Sequence, residues 1–290
     1  MHIASGVPAT IGFCLLAGLC APAFAQSSAP PDKSGYWLFD PMPDSQMRDF
    51  STDRPPKANA PNTVDAGHFQ YETDIVNFAE QGTGKTQIFT LLVPNPTFKV
   101  GLTNNIDFEV NAPTLVGVRS VNSATNMSST IWGLDDAFIR TKINLWGNDG
   151  GPSALALIPY VKAPVAPAGI GNGATEGGMI APLSFALPDG FTLLFNSEID
   201  GLKNNADNGR HANFMNLVNL SHEVVKGVTL YMEFWSDFND DPTQRTTQLS
   251  YDLAVTWLVR PNLQLDAGVD VGLTSATPII QVFAGVSQRF

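Results

Sequence analysis

Charged side chains recur in this chain at alternate positions of runs whose other positions are apolar. In FQYETDI, Glu72 and Asp74 share one face of an extended chain, and Phe69 lies on the opposite face. Successive side chains of a strand point to opposite sides, so each such run separates charge from apolar surface. The charged residues assigned to this face are Glu72, Asp74, Arg140, Lys142, Glu198, Asp200, Glu233, Asp252, Asp266 and Asp270.

Two roles suit charged groups that repeat on one side of a sheet. They can line a water-filled path for a solute, or they can pair with one another and fill a narrow interior. The residue types are compatible with both roles, and both stay open at this point. An excess of acid in a water-filled path predicts a preference for cations or neutral solutes over anions.

A catalytic role fits the sequence less well than either of these two roles. A hydrolase needs a serine and a histidine within hydrogen-bond reach of each other. No serine lies in the NNADNGRHAN segment around His211, and the neighbouring residues Ser221 and His222 would point to opposite faces of a strand. We therefore expect no catalytic residue. The acidic run at 237–241 predicts a solvated loop rather than a metal site, and no metal or cofactor is expected.

The N-terminus indicates export. A short apolar stretch from Ile11 to Leu19 is followed by Ala23-Phe24-Ala25, which predicts a signal peptide that is cut after Ala25. Both cysteines, Cys14 and Cys20, fall in this peptide, so the exported chain has no thiol and no disulfide. The net charge of −11 argues against nucleic acid as a partner.

Strand lengths and connections predict the architecture. Alternating runs such as 249–259 and 263–273 are long enough for the roughly 9–11 tilted residues of a membrane-crossing strand. Short Gly-, Asn-, Asp- or Pro-containing turns alternate with longer polar links near 80–86, 114–130, 164–174, 200–210 and 239–245, and a sixth link at 274–277 is shorter but falls in the right place. This alternation predicts an all-β fold, a transmembrane antiparallel up-and-down β-barrel of about 12 strands in a bacterial outer membrane.

Three regions follow from this pattern. Residues 1–25 form the signal peptide, 26–62 an irregular segment that is periplasmic or plugs the lumen, and 63–290 the barrel. The aromatic residues near strand ends are assigned to the lipid interface; they are Trp132, Trp146, Tyr160, Trp235 and Trp257.

The last strand carries a further prediction. QVFAGVSQRF alternates up to Phe290, and the final strand of a barrel must pair with the first so that no edge is left in lipid. We assign Phe290 as the assembly signal that barrel-assembly machinery recognises. Outer-membrane lipids, this machinery and small organic solutes are the expected partners.

Several motifs resemble one known family. The pieces are Met47-Arg48, STDRP from Ser51, TVDAGHFQ from Thr63 with Glu72 after it, GLTNNIDFEV from Gly101, LWGNDGG from Leu145, PYVKAP from Pro159 and GNGATEGG from Gly171. They resemble the outer-membrane transporters associated with the meta-pathway of phenol degradation. The resemblance implies a barrel that passes small, often aromatic, compounds, and it implies no catalytic residue.

Residues 26–62 are long enough to enter the barrel. A 12-stranded barrel is intermediate between filled 8-stranded barrels and 16- to 18-stranded pores with an aqueous channel, so a short segment can block it. Trp37, Phe39, Asp53 and Arg54 are the expected plug or gate, with Arg54 pairing to lumen carboxylates. The alternative is a loose periplasmic leader.

The function predicted is a channel for passive or gated uptake of small organic compounds, including aromatic ones. A closed structural or adhesive barrel that acts through its outer loops is the alternative, and an outer-membrane hydrolase is third. The pattern leaves open the solute, the gating trigger, the oligomeric state and the choice between passage along the lumen and passage through the wall.

Overall fold

The computed structural model describes residues 32–206 and 208–290. The predicted signal peptide and residues 26–31 of the irregular segment lie outside these ranges. The strands are β1 (Phe69–Thr83), β2 (Thr86–Val93), β3 (Asn95–Thr103), β4 (Ile106–Asn111), β5 (Leu115–Asn122), β6 (Met127–Leu134), β7 (Ala137–Trp146), β8 (Ser153–Ala163), β9 (Glu176–Ala186), β10 (Phe191–Lys203), β11 (Arg210–Val225), β12 (Val228–Asn239), β13 (Thr246–Arg260), β14 (Leu263–Gly272) and β15 (Ile280–Arg289).

These fifteen strands form twelve spans of a closed antiparallel barrel, which confirms the predicted fold. β1 pairs with β15, with β3 through its first half and with β2 through its second half, so β2 and β3 make one interrupted span. The pairs β4 with β5 and β6 with β7 are related in the same way. Each of the other strands is a span by itself. Within the described ranges, no helix is both long and apolar enough to span a membrane.

The interruptions lie side by side on neighbouring strands. The register shifts between Asp74 and Val76 on β1, and Pro94 separates β2 from β3. Pro113 lies between β4 and β5, and residues 135–136 separate β6 from β7. Proline has no N–H to donate to a ladder, and a bulge leaves one residue unpaired and bends its strand. The sheet is therefore interrupted at one level across four spans.

Two links differ from the prediction. The regions 80–86 and 114–130 were expected to be long polar loops, but the turns span only residues 84–85 and 123–126, and most of the rest is strand. SVNSATNMSST is polar enough to resemble a loop. Its backbone groups pair across the β5–β6 hairpin, where the polar side chains remain exposed.

Side chains segregate as the alternation predicts. Phe69, Leu253 and Val282 are exposed on the outer surface, whereas Glu72 and Asp252 are buried inside the barrel. Of the five aromatic residues assigned to the lipid interface, Trp132, Trp146 and Trp257 are exposed. Tyr160 and Trp235 face the lumen instead, because they share parity with the buried Ile158 and Glu233.

The barrel closes at its last residue. The amide of Phe290 donates to the carbonyl of Phe69 at 2.8 Å, and the amide of Phe69 donates to the carbonyl of Phe290 at 3.2 Å. The rings of Tyr71 and Phe290 stack with their centroids 6.1 Å apart. The first and last strands thus leave no unpaired edge where they meet.

Candidate functional site

The chain before β1 folds into the barrel from the short-turn end and returns to that end. We call residues 51–64 the lumen segment. At its start, the Gln70 side chain donates to the carbonyl of Ser51 at 2.9 Å. At its end, the amide of Val64 donates to Asp107 at 2.9 Å. The segment has no strand or helix of its own, so its polar backbone groups depend on partners in the wall.

Arg54 connects the lumen segment to two carboxylates of the wall. Its Nη1 lies 2.6 Å from Asp74 on β1, and its Nη2 lies 2.7 Å from Asp266 on β14. Its Nε also donates to Asp266, at 3.1 Å, so this pair is bidentate. The guanidinium crosses β15 at Gly285, where a Cβ would overlap it. A glycine at that position gives the guanidinium room against the wall.

Lys57 makes a second attachment on the neighbouring wall. Its Nζ lies 2.7 Å from Asp252 on β13 and 2.7 Å from Asp270 on β14. Its backbone amide donates to Glu233 at 3.1 Å. The ammonium also lies over the Trp235 ring, 5.3 Å from the centroid. One lysine therefore meets three carboxylates and an aromatic face.

At Asp53 the lumen segment supplies the acidic partner and the wall supplies the basic ones, which is the opposite of Arg54 and Lys57. It is a carboxylate of the lumen segment that pairs with wall lysines, Lys142 at 2.8 Å and Lys99. Its Oδ1 also accepts from the Ala60 amide at 2.7 Å, which stabilises the lumen segment itself. Burial would raise the pKa of Asp53, but the charges and hydrogen bonds of Lys142 and Lys99 hold that pKa below its usual range. The carboxylate therefore stays ionised at neutral pH.

Apolar and amide contacts complete the attachment. Ala58 is buried in a small cluster with Leu217 and Trp235, against which Leu194 and Met215 pack. The Asn59 amide donates to the Asn196 side chain at 3.0 Å. Burial of these groups, together with the ion pairs, fixes residues 53–58, the innermost part of the lumen segment.

Two cavities flank this innermost part. An outer cavity of about 300 Å³ is lined by Phe138, Ile180, Glu198 and Met215, towards the long-loop end. An inner cavity of about 330 Å³ is lined by Gly190, Thr192, Ser221 and Tyr231, towards the short-turn end. The residues that line both cavities are Asp53, Arg54, Pro56 and Ala58. Residues 53–58 therefore lie between the two cavities.

The charged residues selected from the sequence fall into two groups inside the barrel. Glu72, Asp74, Lys142, Glu233, Asp252, Asp266 and Asp270 contact the lumen segment. Arg140, Glu198 and Asp200 lie farther out, where the Tyr160 hydroxyl donates to Asp200 at 2.6 Å.

Sequence reasoning missed several groups. Lys57 was not selected as a gate residue, and Lys99 and Glu109 on the wall were omitted. Lys99 alternates with Phe98 and Val100 in TFKVGL, and Glu109 alternates likewise in IDFEV. The same period-two argument that selected Glu72 would have included them.

Trp37 and Phe39 are not where the prediction put them. Both are exposed, at 49% and 76%, and their rings pack edge to face. Trp37 bridges to Thr103 beside the β3–β4 turn, at the short-turn end of the barrel. The apolar cluster inside the lumen is occupied by Ala58 and Trp235, and the interior is otherwise rich in charged partners for Asp53, Arg54 and Lys57. The aromatic pair thus lies at the rim rather than inside.

The histidines have structural contacts. His68 Nε2 lies 2.8 Å from the Met42 carbonyl oxygen and its Nδ1 3.0 Å from that of Phe290. His211 contacts Asn204, and His222 stacks on Phe191. Among the described residues, no group of three or more His, Cys, Asp or Glu side chains is arranged to hold a metal ion.

Known proteins match this chain by family and by fold. The family model described as "Putative MetA-pathway of phenol degradation" matches residues 52–290. The COG4313 outer membrane channel from Pseudomonas putida F1 matches with a TM-score of 0.56 and 12% identity, over 77% of this chain and 94% of that chain. CymD, described as a monoaromatic hydrocarbon channel, matches with a TM-score of 0.42 and 8% identity, over 77% of this chain and 87% of that one. No curated protein sequence matches.

Proposed function

The chain belongs to the family described as "Putative MetA-pathway of phenol degradation", and on this premise we propose that it is a gated outer-membrane channel for small organic compounds. The fold is shared with an outer membrane channel over nearly all of that channel's length. The family and the fold match channels rather than enzymes, and we assign no catalytic role to any residue.

The observation that carries the proposal is the pair of cavities with residues 53–58 between them. One cavity lies towards each end of the barrel. In this proposal the lumen segment is the gate, and a solute passes when residues 53–58 leave their partners on β1, β3, β7, β12, β13 and β14. The short-turn end faces the periplasm, as in outer-membrane barrels generally.

The ion pairs of the lumen segment suit a gate. A buried pair contributes little net stability against an apolar replacement, but it strongly penalises the loss of one partner. Such a segment is held in one arrangement by a few discrete contacts, at Asp53, Arg54 and Lys57. The lumen segment forms no strand pairing with the wall, so release of these contacts can open the lumen without unfolding the barrel.

A closed structural barrel is the second candidate. The observation that favours it is the same filling of the lumen, since every ion pair of Arg54 and Lys57 also braces the wall from inside. In that case the outer loops, rather than the lumen, would carry the function.

Planar-bilayer conductance separates the two candidates. The refolded chain that begins at Gln26 is compared with a variant that lacks residues 26–62, and both are checked for folding by heat-modifiable gel mobility. A channel gated by its own segment predicts a clear rise in conductance on deletion. If neither folded protein conducts, the result would contradict the channel and favour the structural barrel.

A further inference from the structure

We propose that the outer cavity is a binding subsite for small aromatic monocarboxylates, with Arg140 as the group that receives the carboxylate. This inference rests on the proposed channel function and names a solute class for it. Its basis is the difference between Arg140 and the other cations of the lumen.

The other lumen cations are all paired. Each has at least one carboxylate oxygen within 4 Å; they include Arg54, Lys57, Lys99, Lys142 and Lys162. In the described part of the chain, Arg140 makes no ion pair of this length, and its buried Nε has no hydrogen-bond partner. A guanidinium offers five donors in a planar fork that matches a carboxylate. Arg140 thus retains hydrogen-bond donors that the other cations have used, while its charge also acts on Glu198 in the same cavity.

Aromatic and apolar groups surround this guanidinium. Its central carbon lies 5.6 Å from the centroid of the Phe138 ring. Phe138 in turn contacts Tyr160, with 6.1 Å between the ring centroids. Ile180 and Met215 line the same cavity. A flat ring can pack among these groups while its acid group meets Arg140.

The charged groups that line the cavity differ in whether they are already paired. The carboxylates that line it are Asp53, Glu72 and Glu198, and the cations are Arg54, Lys57, Lys99 and Arg140. Arg54, Lys57 and Lys99 already pair with carboxylates, so Arg140 is the lining cation with hydrogen-bond donors left for an anion. Glu198 would repel a second acid group on the solute, which favours monocarboxylates.

The size of the cavity fits a single-ring solute. A cavity of about 150 Å³ is enough for benzene, and the outer cavity measures about 300 Å³. One ring with a carboxylate fits within this volume beside the residues that line it.

Calorimetric titration of the refolded chain with sodium benzoate tests the subsite. Benzyl alcohol has the ring without the charge, and acetate has the charge without the ring. Both should bind at least about tenfold more weakly than benzoate, because each loses one class of contact. Arg140→Met should weaken benzoate binding at least about tenfold, and Arg140→Lys should weaken it less. Arg119→Met, at an exposed position of β5, should leave it unchanged.

The outcomes separate this inference from the channel itself. Equal binding of benzoate and benzyl alcohol, or full benzoate binding by folded Arg140→Met protein, would overturn the subsite. Conductance without any benzoate binding would also overturn it and leave the channel standing. Benzoate binding that depends on Arg140, in a protein that never conducts, would support the subsite and contradict the channel. Gel mobility identifies a variant that fails to fold, and Arg140→Lys then provides the decisive comparison.

Discussion

Arg54 joins two wall strands that do not pair with each other. Asp74 lies on β1 and Asp266 on β14, and the guanidinium reaches both by crossing β15 over Gly285. Such a contact requires a planar group with donors on two edges. Lysine, which presents a single point charge, would not reproduce the bidentate bond to Asp266.

Arg54→Met should release the innermost part of the lumen segment. Removal of one partner of a buried ion pair costs about 3–5 kcal/mol, because the remaining charges are left unpaired. Conductance of the full-length protein should therefore rise towards that of the protein lacking residues 26–62. Bilayer recordings measure this, with Arg245→Met as the matched control, since Arg245 pairs with Asp240 at an exposed site.

A second variant tests the same contact from the wall. Gly285→Val puts side-chain atoms where the Arg54 guanidinium lies and should raise conductance in the same way. Gly201→Ala, where the nearest atom to an added Cβ is 3.9 Å away, should have no effect. Unchanged conductance in both Arg54→Met and Gly285→Val would contradict the gate.

Asp53 predicts that the conductance of the full-length protein depends on pH in the acid range. Its pKa is held below the ordinary value of about 3.9, so its contribution to docking is complete above that value and is lost as the pH falls through the lower one. The difference in conductance between the full-length protein and Asp53→Asn should be constant above about pH 5 and shrink below about pH 4. A difference that disappears between pH 6 and pH 8 would show that another group is responsible.

Among the secondary-structure elements, the pair β1 and β15 closes the barrel. Phe290 exchanges two backbone hydrogen bonds with Phe69 and stacks on Tyr71. Phe290→Ala keeps the hydrogen bonds and removes the ring. We expect a several-fold lower yield of heat-modifiable barrel in outer-membrane fractions.

The control for this prediction lies on the same strand. Val282 is exposed on β15 in the same alternation as Phe290, so Val282→Ala removes apolar surface without touching the terminus. Equal yields of the two variants would show that the terminal ring has no special part in assembly.

The interrupted strands show why alternation was followed in some elements and missed in others. Pro94 and Pro113 break two spans into four strands, and Pro113 adjoins the region 114–130 that was expected to be a long loop. Pairing with neighbours on both sides holds the pieces in line.

For the whole molecule, the lumen segment changes the charge that a solute meets. Arg54 and Lys57 together pair with Asp74, Asp252, Asp266 and Asp270. The expected preference for cations or neutral solutes was based on these carboxylates without their partners. Deletion of residues 26–62 removes both cations and exposes all four carboxylates.

The protein that lacks residues 26–62 should therefore be cation-selective. Its reversal potential in a potassium chloride gradient should indicate a several-fold preference for K⁺ over Cl⁻, which weakens at high salt as charges are screened. Replacing Asp252 and Asp270 by Asn in the deleted protein should reduce that preference. An anion-selective deleted protein would contradict the assignment of these residues to the conducting path.

The sequence by itself determined the barrel, the faces of its strands and its closure at Phe290. These follow from local rules, because period-two alternation depends only on neighbours along one strand. Only the tertiary structure decided that Lys57 shares the attachment, that Asp53 pairs with Lys99 and Lys142, that Trp37 and Phe39 lie at the rim, and that Arg140 makes no ion pair with any residue that the structure describes. Those outcomes depend on which residues of distant strands face the same height of the lumen, and strand tilt and register set that height across the whole barrel.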